Sequence, residues 1–218
     1  LRVADILAPA AVSTKAKDYV EVDGVCFACL YITGYGYDTA VGRGWMTPLL
    51  EAGEGVNVTF FLRRQRKERI LSKISQTTRF NRSRLRDVGD TRQDFEELGD
   101  AIEAGLWIKS ELNRNNEDFY FLNTLIEISA PDAQILAERV AQVQTMCTAM
   151  DLITKRCDYQ HGNAYLTSLP VLFLDPSIER KSRRNILTSS LAAGFPFGSF
   201  EICDQSGVLL GLNLQNQS

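Results

Sequence analysis

Two runs of apolar, β-branched and aromatic residues, at 56–62 and 119–128, predict strands that frame a segment of different character. The residues between them contain no proline, and their apolar side chains recur at helical spacing. A connection between two strands is normally only a few residues long, so this connection is expected to be structured. We predict two antiparallel helices, at 65–87 and 91–115, that form a helical hairpin over residues 65–117 and extend beyond the sheet.

The first part of the chain predicts a β-hairpin followed by a β-α-β unit. Residues 19–22 and 25–33 flank Asp23-Gly24, a dipeptide that favours the left-handed angles of a two-residue turn. Both faces of the second of these strands are apolar, which is typical of a central strand. A short helix at 45–51 then leads to the first of the two framing strands.

The second framing strand begins another β-α-β unit. Ser129 as a helix cap and Pro131 in the first turn predict a helix with a continuous apolar stripe. Residues 152–157 predict the closing strand. Two β-α-β units separated by an insertion indicate a split β-α-β sheet. We therefore predict an α+β fold, a ferredoxin-like sheet in which the helical hairpin replaces the central turn, with an extra N-terminal edge strand.

The C-terminal part of the chain has a weaker pattern, which leaves its packing on the sheet open. It predicts a short helix at 159–169, a second helix at 176–193 and a β-hairpin at 198–212. We therefore divide the chain into two domains. The first, 1–158, is the ferredoxin-like unit with its helical hairpin, and the second, 159–218, contains the remaining helical segment and hairpin.

Composition places the chain among ordinary globular proteins. It has 218 residues, of which 44% are hydrophobic and 23% charged. No apolar run approaches the roughly twenty residues of a membrane-spanning helix. The first residues lack the basic and apolar segments of a signal peptide. Because the chain opens without a methionine, we expect it to be a piece of a longer protein.

The cysteines do not predict a disulfide framework. Five of them are scattered along the chain, an odd number that favours a reducing compartment. Cys26 and Cys29 spell C-x-x-C, but they lie in a predicted strand, where their odd separation sends the two thiols to opposite faces. No metal site and no bound cofactor are therefore expected in this chain.

Positive charge is concentrated on the first arm of the predicted hairpin. Residues 63–92 carry eleven basic and three acidic side chains, although the whole chain has a net charge of −3. Three interpretations stay open: a solvated helix face, a docking surface for an acidic partner or the anionic cytoplasmic leaflet, and direct DNA binding. The candidate docking residues are Arg63, Arg64, Arg66, Lys67, Arg69, Lys73, Arg79, Arg82, Arg84 and Arg86.

The second arm carries acidic side chains that are predicted to pair with the basic arm across the hairpin. These side chains are Asp94, Glu96, Glu97, Asp100 and Glu103.

No catalytic constellation is evident. The chain lacks the G-x-x-x-x-G-K-[ST] motif that cradles a nucleotide triphosphate. Asp158 and His161 offer an acid and a base, but no motif places a nucleophile beside them. We therefore expect no enzymatic activity from this chain alone.

Several short motifs follow one another along the chain in a distinctive order. They are D-I-L-A-P at 5–9, D-G at 23–24, I-T-G-Y at 32–35, Q-H-G at 160–162, L-P at 169–170, and Pro196-Phe197 followed by Asp204, Gly207, Gly211 and Asn213. In order and spacing they resemble the N-terminal region of the ATPases of type IV secretion and conjugation systems, the VirB-four or TraC/TraE family, in versions from conjugative elements of Gram-positive bacteria. Where that family has Tyr-Pro after the second strand, this chain has Tyr35-Gly36.

The resemblance implies a part of a larger machine. Members of this family carry a RecA-like motor after this region, and ATP and magnesium belong to that motor. The N-terminal domain would dock the motor on inner-membrane channel subunits and on other ATPases of the same system, at the cytoplasmic face of the membrane. Self-association would belong to the full-length protein. The alternative function is a free-standing nucleic-acid-binding module that uses the basic helix at 63–92.

Overall fold

The structure, a computed structural model, describes residues 9–37, 41–87 and 92–195. In these ranges the chain forms one sheet of seven strands, together with seven helices. The strands are β1 (Val12–Ser13), β2 (Val20–Val22), β3 (Val25–Ile32), β4 (Val56–Arg64), β5 (Phe119–Ala130), β6 (Thr154–Arg156) and β7 (Arg184–Leu187). The helices are α1 (Thr47–Leu50), α2 (Lys67–Asp87), α3 (Arg92–Arg114), α4 (Ala133–Ala149), α5 (His161–Ser168), α6 (Pro176–Ser182) and α7 (Thr188–Ala193).

The long strand β5 is the centre of an antiparallel sheet. Strand β4 pairs with one side of β5, from Val56 opposite Ile128 to Arg64 opposite Tyr120. The other side of β5 is shared end to end by β7 and β3. The far side of β3 is in turn shared by β2 and β6, and β1 forms the outer edge beside β2. The predicted α+β class is confirmed.

The two predicted β-α-β units interleave. Strands β6, β3, β5 and β4 lie side by side in this order. The strands of each unit are therefore separated by one strand of the other unit, as a split β-α-β arrangement requires. The predicted N-terminal addition to the edge of the sheet is also present and consists of two strands, β2 and β1. Asp23 and Gly24 have φ angles of 51° and 83°, which confirms the two-residue turn between β2 and β3.

Both faces of the sheet are covered, because successive side chains of a strand point to opposite faces. On one face, α4 and α1 enclose the main core, to which β3 contributes Cys26, Ala28, Leu30 and Ile32. On the other face, α5 and α6 cover a smaller core that includes Cys29 and Tyr31. The predicted opposite orientation of the two C-x-x-C thiols is confirmed.

The helical hairpin α2–α3 joins β4 to β5 and packs against the sheet near its base. Ile70 of α2 and Leu112 of α3 are buried there against Phe119 of β5 and Leu187 of β7. The two arms approach each other closely at Gly105, where a Cβ atom would lie 2.9 Å from the hydroxyl of Thr78. The predicted helical hairpin is confirmed.

Two predicted helix assignments are wrong. Residues 176–193 do not form one helix, because β7 interrupts it between α6 and α7 and pairs with the free edge of β5. Ser129 does not cap a helix, since β5 continues to Ala130, which lies opposite Cys26 of β3. The cap of α4 is Asp132, whose carboxylate accepts a hydrogen bond from the backbone N–H of Ile135 at 2.8 Å. The predicted C-terminal β-hairpin at 198–212 lies outside the described residues.

Candidate docking surface

The first two candidate residues, Arg63 and Arg64, are tied to the body of the protein. They end β4, where Arg63 contacts Glu179 of α6 at 3.1 Å and Arg64 contacts Asp118 at 2.8 Å. The hydrogen bond that the Arg64 guanidinium donates to the Asp118 carboxylate raises the pKa of Arg64. Both arginine side chains remain largely exposed, so each pair contributes little stability. These two arginines are therefore paired and are not free cations.

The basic side chains of α2 have a different environment. Arg66, immediately before α2, and Arg69, Lys73, Arg79 and Arg82 of α2 are exposed, and no acidic group in the described ranges lies within ion-pair distance of them.

Two further candidates on α2 make only weak contacts. Lys67 donates to the side chain of Asn116 at 3.4 Å, and the guanidinium of Arg84 lies 5.9 Å from the centre of the Phe80 ring. The side chain of Arg86 lies outside the described residues. The basic arm therefore presents most of its charge to solvent.

The predicted pairing of the acidic arm with the basic arm is wrong for the side chains that the structure describes. Glu96, Glu97, Asp100 and Glu103 are exposed, and no ion pair joins α3 to α2 in the described part of the hairpin. The side chain of Asp94 lies outside the described residues. The arms are held together by apolar packing and by a hydrogen bond from Lys109 to Ser75 at 3.2 Å.

The hairpin is consequently divided by charge. Helix α2 has seven basic and two acidic side chains, whereas α3 has three basic and six acidic ones. Positive charge is therefore concentrated on one arm of the hairpin and negative charge on the arm beside it. Each arm keeps that charge available for a partner.

Asp158 and His161 are the acid and base that the sequence offers. In the structure, His161 takes part in the packing of the sheet. Strand β2 ends its pairing with β3 at Phe27, and β6 begins its own pairing at Leu30, which leaves a gap at Cys29. The backbone N–H of Cys29 donates to Nδ1 of His161 at 3.1 Å across this gap. The imidazole thus takes the place of a strand and satisfies a buried backbone donor.

The surroundings of His161 favour its neutral form. Burial is the main cause that lowers the pKa of its imidazole, and the carboxylate of Asp158, 3.6 Å from Nε2, acts in the opposite direction. Nδ1 already accepts a hydrogen bond from Cys29 and cannot take a proton without losing it. The same interior raises the pKa of the neighbouring Cys157 thiol to about 12, so this thiol is not a ready nucleophile at neutral pH.

The four described cysteines are buried and free. Across residues 9–37, 41–87 and 92–195, no group of three or more His, Cys, Asp and Glu side chains is arranged to hold a metal ion. None of the helices in these ranges is both long enough and apolar enough to cross a bilayer.

The sequence interpretation overlooked Trp107 of α3. This side chain is 56% exposed and borders a cleft of about 380 Å³ between α3 and the sheet. Trp45 lines the same cleft, as do Tyr37 and Arg184. The signal was present in the spacing, since Trp107 follows Glu96, Asp100 and Glu103 at intervals that put all four on one side of a helix.

No family model matches this chain, and no curated protein matches it either.

Proposed function

We propose that this chain is the non-catalytic N-terminal docking and assembly domain of a conjugative type IV secretion ATPase. It couples the motor to inner-membrane channel subunits for DNA transfer, at the cytoplasmic face of the membrane. The observation that carries this proposal is the helical hairpin, whose basic arm has exposed charges without acidic partners among the described residues. The motifs that resemble the VirB-four or TraC/TraE family supply the class of machine.

The geometry of the hairpin supports a role in contact with other proteins. Its two arms continue from adjacent strands, β4 and β5, which pair over nine residue positions. Apolar packing at its base holds it against the sheet, where Ile70 and Leu112 are buried beside Phe119 and Leu187. A rigidly held surface loses less conformational entropy on binding than a flexible one. The hairpin is therefore suited to present charge to a partner.

Two of the residues behind the family resemblance, Gly34 and His161, have structural reasons for their identity. Gly34 follows β3 where a Cβ atom would lie 2.3 Å from the carbonyl oxygen of Arg183, so a larger residue does not fit. His161 completes the sheet at Cys29. These positions support the proposal as parts of a shared scaffold, while the charged hairpin supplies the contact.

In this proposal ATP and magnesium bind to the motor of the full-length protein, and this chain orients that motor on its partners. An acidic surface of a channel subunit or of a partner ATPase is the kind of surface that the basic arm fits.

A capture experiment tests the docking role. The chain is immobilised, and detergent-solubilised channel subunits of the same conjugation system are passed over it. Reversing Arg66 and Arg69 to glutamate should weaken binding by about tenfold or more, because favourable charges become repulsive. Lys15→Glu with Lys17→Glu is the matched control, since it makes the same change of charge at exposed positions outside the hairpin. Equal binding by wild type and the hairpin variant would contradict the proposal.

Direct DNA binding is the competing outcome. Fluorescent single-stranded DNA titrated over a salt series distinguishes it, because phosphate contacts make affinity fall steeply as salt rises. Micromolar, salt-sensitive binding that Arg66→Glu with Arg69→Glu abolishes, together with no capture of channel subunits, would replace docking by nucleic-acid binding.

A further inference from the structure

The two arms of the hairpin carry stripes of matching spacing and opposite charge. We define the basic edge as Arg69, Lys73, Gln76 and Phe80 of α2, and the acidic edge as Glu96, Asp100, Glu103 and Trp107 of α3. Within each edge the residues are spaced i, i+4, i+7 and i+11, so they share one side of their helix. All eight side chains are exposed, and each stripe ends in an exposed aromatic ring, Phe80 or Trp107.

The two edges face away from each other. The arms meet at Thr78 of α2 and Gly105 of α3. Arg69 lies nine residues before Thr78, and Glu96 lies nine residues before Gly105, which is two and a half helical turns in each case. The two edges therefore occupy opposite sides of the hairpin. A single chain cannot bring its own basic edge against its own acidic edge.

We propose that these edges mate between copies of this chain, with the basic edge of one chain packed along the acidic edge of the next. The inference rests on the docking role proposed for the hairpin and names a partner for it. The partner is a second copy because its acidic edge has the opposite charge, the same spacing and an exposed aromatic end of its own.

A polyanion such as DNA or an anionic lipid surface fits this hairpin less well. A polyanion would contact the basic edge alone and would leave the acidic edge without a partner. A second copy uses both charges of the hairpin and covers Phe80 and Trp107 at the ends of the contact.

The contact has a defined symmetry class. Two different surfaces of the same chain meet, so the interface is heterologous, and each pair keeps one free basic edge and one free acidic edge. Further copies add at these free edges, either until the assembly closes or without limit. Exposed ion pairs are individually weak and screened by salt, so association is expected to depend on concentration and ionic strength.

Complementary charge reversal tests this pairing in sedimentation-velocity ultracentrifugation. Arg69→Glu with Lys73→Glu makes both edges acidic, and Asp100→Lys with Glu103→Lys makes both edges basic. Each variant alone should associate at least about tenfold more weakly than the wild type, because like charges then face each other. An equimolar mixture of the two variants should regain wild-type association to within about threefold, since each supplies the edge that the other lost.

Control variants and conditions make every outcome decisive. Arg79→Glu with Arg82→Glu changes the charge of α2 by the same amount outside the basic edge, and it should retain association. Raising sodium chloride from about 50 to about 300 mM should weaken wild-type association several-fold. Far-ultraviolet circular dichroism must be equal for all variants, so that loss of association is not loss of folding.

Three results would overturn the inference. One is a wild-type chain that stays monomeric at about 200 µM in low salt, where even a weak specific contact is populated. Another is a mixture of the two reversed variants that fails to associate, and the third is an equal loss in the Arg79 and Arg82 control. Channel-subunit capture by the same chains distinguishes the two proposals: capture without self-association ends this inference alone, whereas loss of both ends the docking role too.

Discussion

The sheet and the hairpin use polar side chains in opposite ways. In the sheet, Glu127 is only 7% exposed, and its carboxylate accepts hydrogen bonds from Asn57 and Ser168. Asn123, also buried, donates to Ser182 at 2.8 Å. In the hairpin, charged residues such as Arg69 lie in solvent without an acidic partner among the described residues.

The difference shows where each region takes its stability. Glu127 and Asn123 of the sheet are paired, and pairing matters there because an unsatisfied buried polar group costs about 1–3 kcal/mol. The exposed charges of the hairpin have no such constraint, and its fold depends on apolar contacts at its base and on the close approach at Gly105. Polar groups of the sheet therefore stabilise its fold, while the exposed charges of the hairpin are available to bind a partner.

The largest effect is expected at Gly34, in the body. Gly34→Ala places a Cβ atom 2.3 Å from the backbone oxygen of Arg183, which cannot move without displacing the chain that leads into β7. We expect a loss of about 3 kcal/mol or more in the free energy of unfolding, measured by urea denaturation. Gly42→Ala is the control, because no atom lies within 4 Å of its Cβ position. Equal stability of the two variants would contradict this prediction, because it would mean that the backbone near Arg183 moves to accommodate the added Cβ atom.

The next effect is expected at His161. His161→Ala removes the acceptor for the N–H of Cys29 and leaves a cavity, so we expect a loss of about 2–4 kcal/mol in the free energy of unfolding. His161→Asn can keep an acceptor near the position of Nδ1 and should lose less. Amide hydrogen exchange at Cys29 provides a direct readout, since the amide should be protected in the wild type and exposed to exchange in the alanine variant. An unchanged exchange rate would contradict the role of His161 in the sheet.

A smaller effect should appear as a dependence of stability on pH. The folded state lowers the pKa of His161, mainly by burial, so the unfolded state binds more protons below the ordinary histidine pKa. The contribution of His161 to the free energy of unfolding is fully present above about pH 6.5. It declines as the pH falls toward the lowered pKa of the folded state, by at most about 1.4 kcal/mol per pH unit. The difference in the free energy of unfolding between wild type and His161→Asn, followed over pH, separates the titration of His161 from that of nearby Asp158, Asp18 and Arg156. A difference that stays constant from pH 7 to pH 5 would rule out a neutral buried imidazole.

The smallest effect is expected for the hairpin charges. Arg69→Ala with Lys73→Ala should change the free energy of unfolding by less than about 0.5 kcal/mol, because exposed side chains without a partner contribute little to stability. Thermal denaturation followed by circular dichroism is sufficient to measure it. A loss above about 1 kcal/mol would mean that these charges hold the hairpin, and the contrast with the sheet would disappear.

The sequence predicted the elements whose signals are local. The proline-free segment between two strands indicated the hairpin, and Asp23-Gly24 indicated the turn whose angles the structure has. Strand β7 was missed because its four residues become a strand only by pairing with the free edge of β5, a feature that no local pattern reveals.

The candidate surface was predicted in part. Residue counts identified the basic arm, but the predicted pairing with the acidic arm assumed that opposite charges on neighbouring helices face each other. Helical phase decides this instead: Thr78 and Gly105 occupy the contact, and Glu96 lies two and a half turns from it. The role of His161 depends on the gap between β2 and β6 and could not be derived from the sequence alone.

The position of the hairpin between β4 and β5 has a mechanical consequence. A force applied at its tip enters the sheet through both strands together, so it does not pull one away from the other. Strand β5 is hydrogen-bonded on both sides, to β4 along one and to β3 and β7 along the other. The load is therefore shared by the strands on both sides of β5 and does not fall on a single pair of strands.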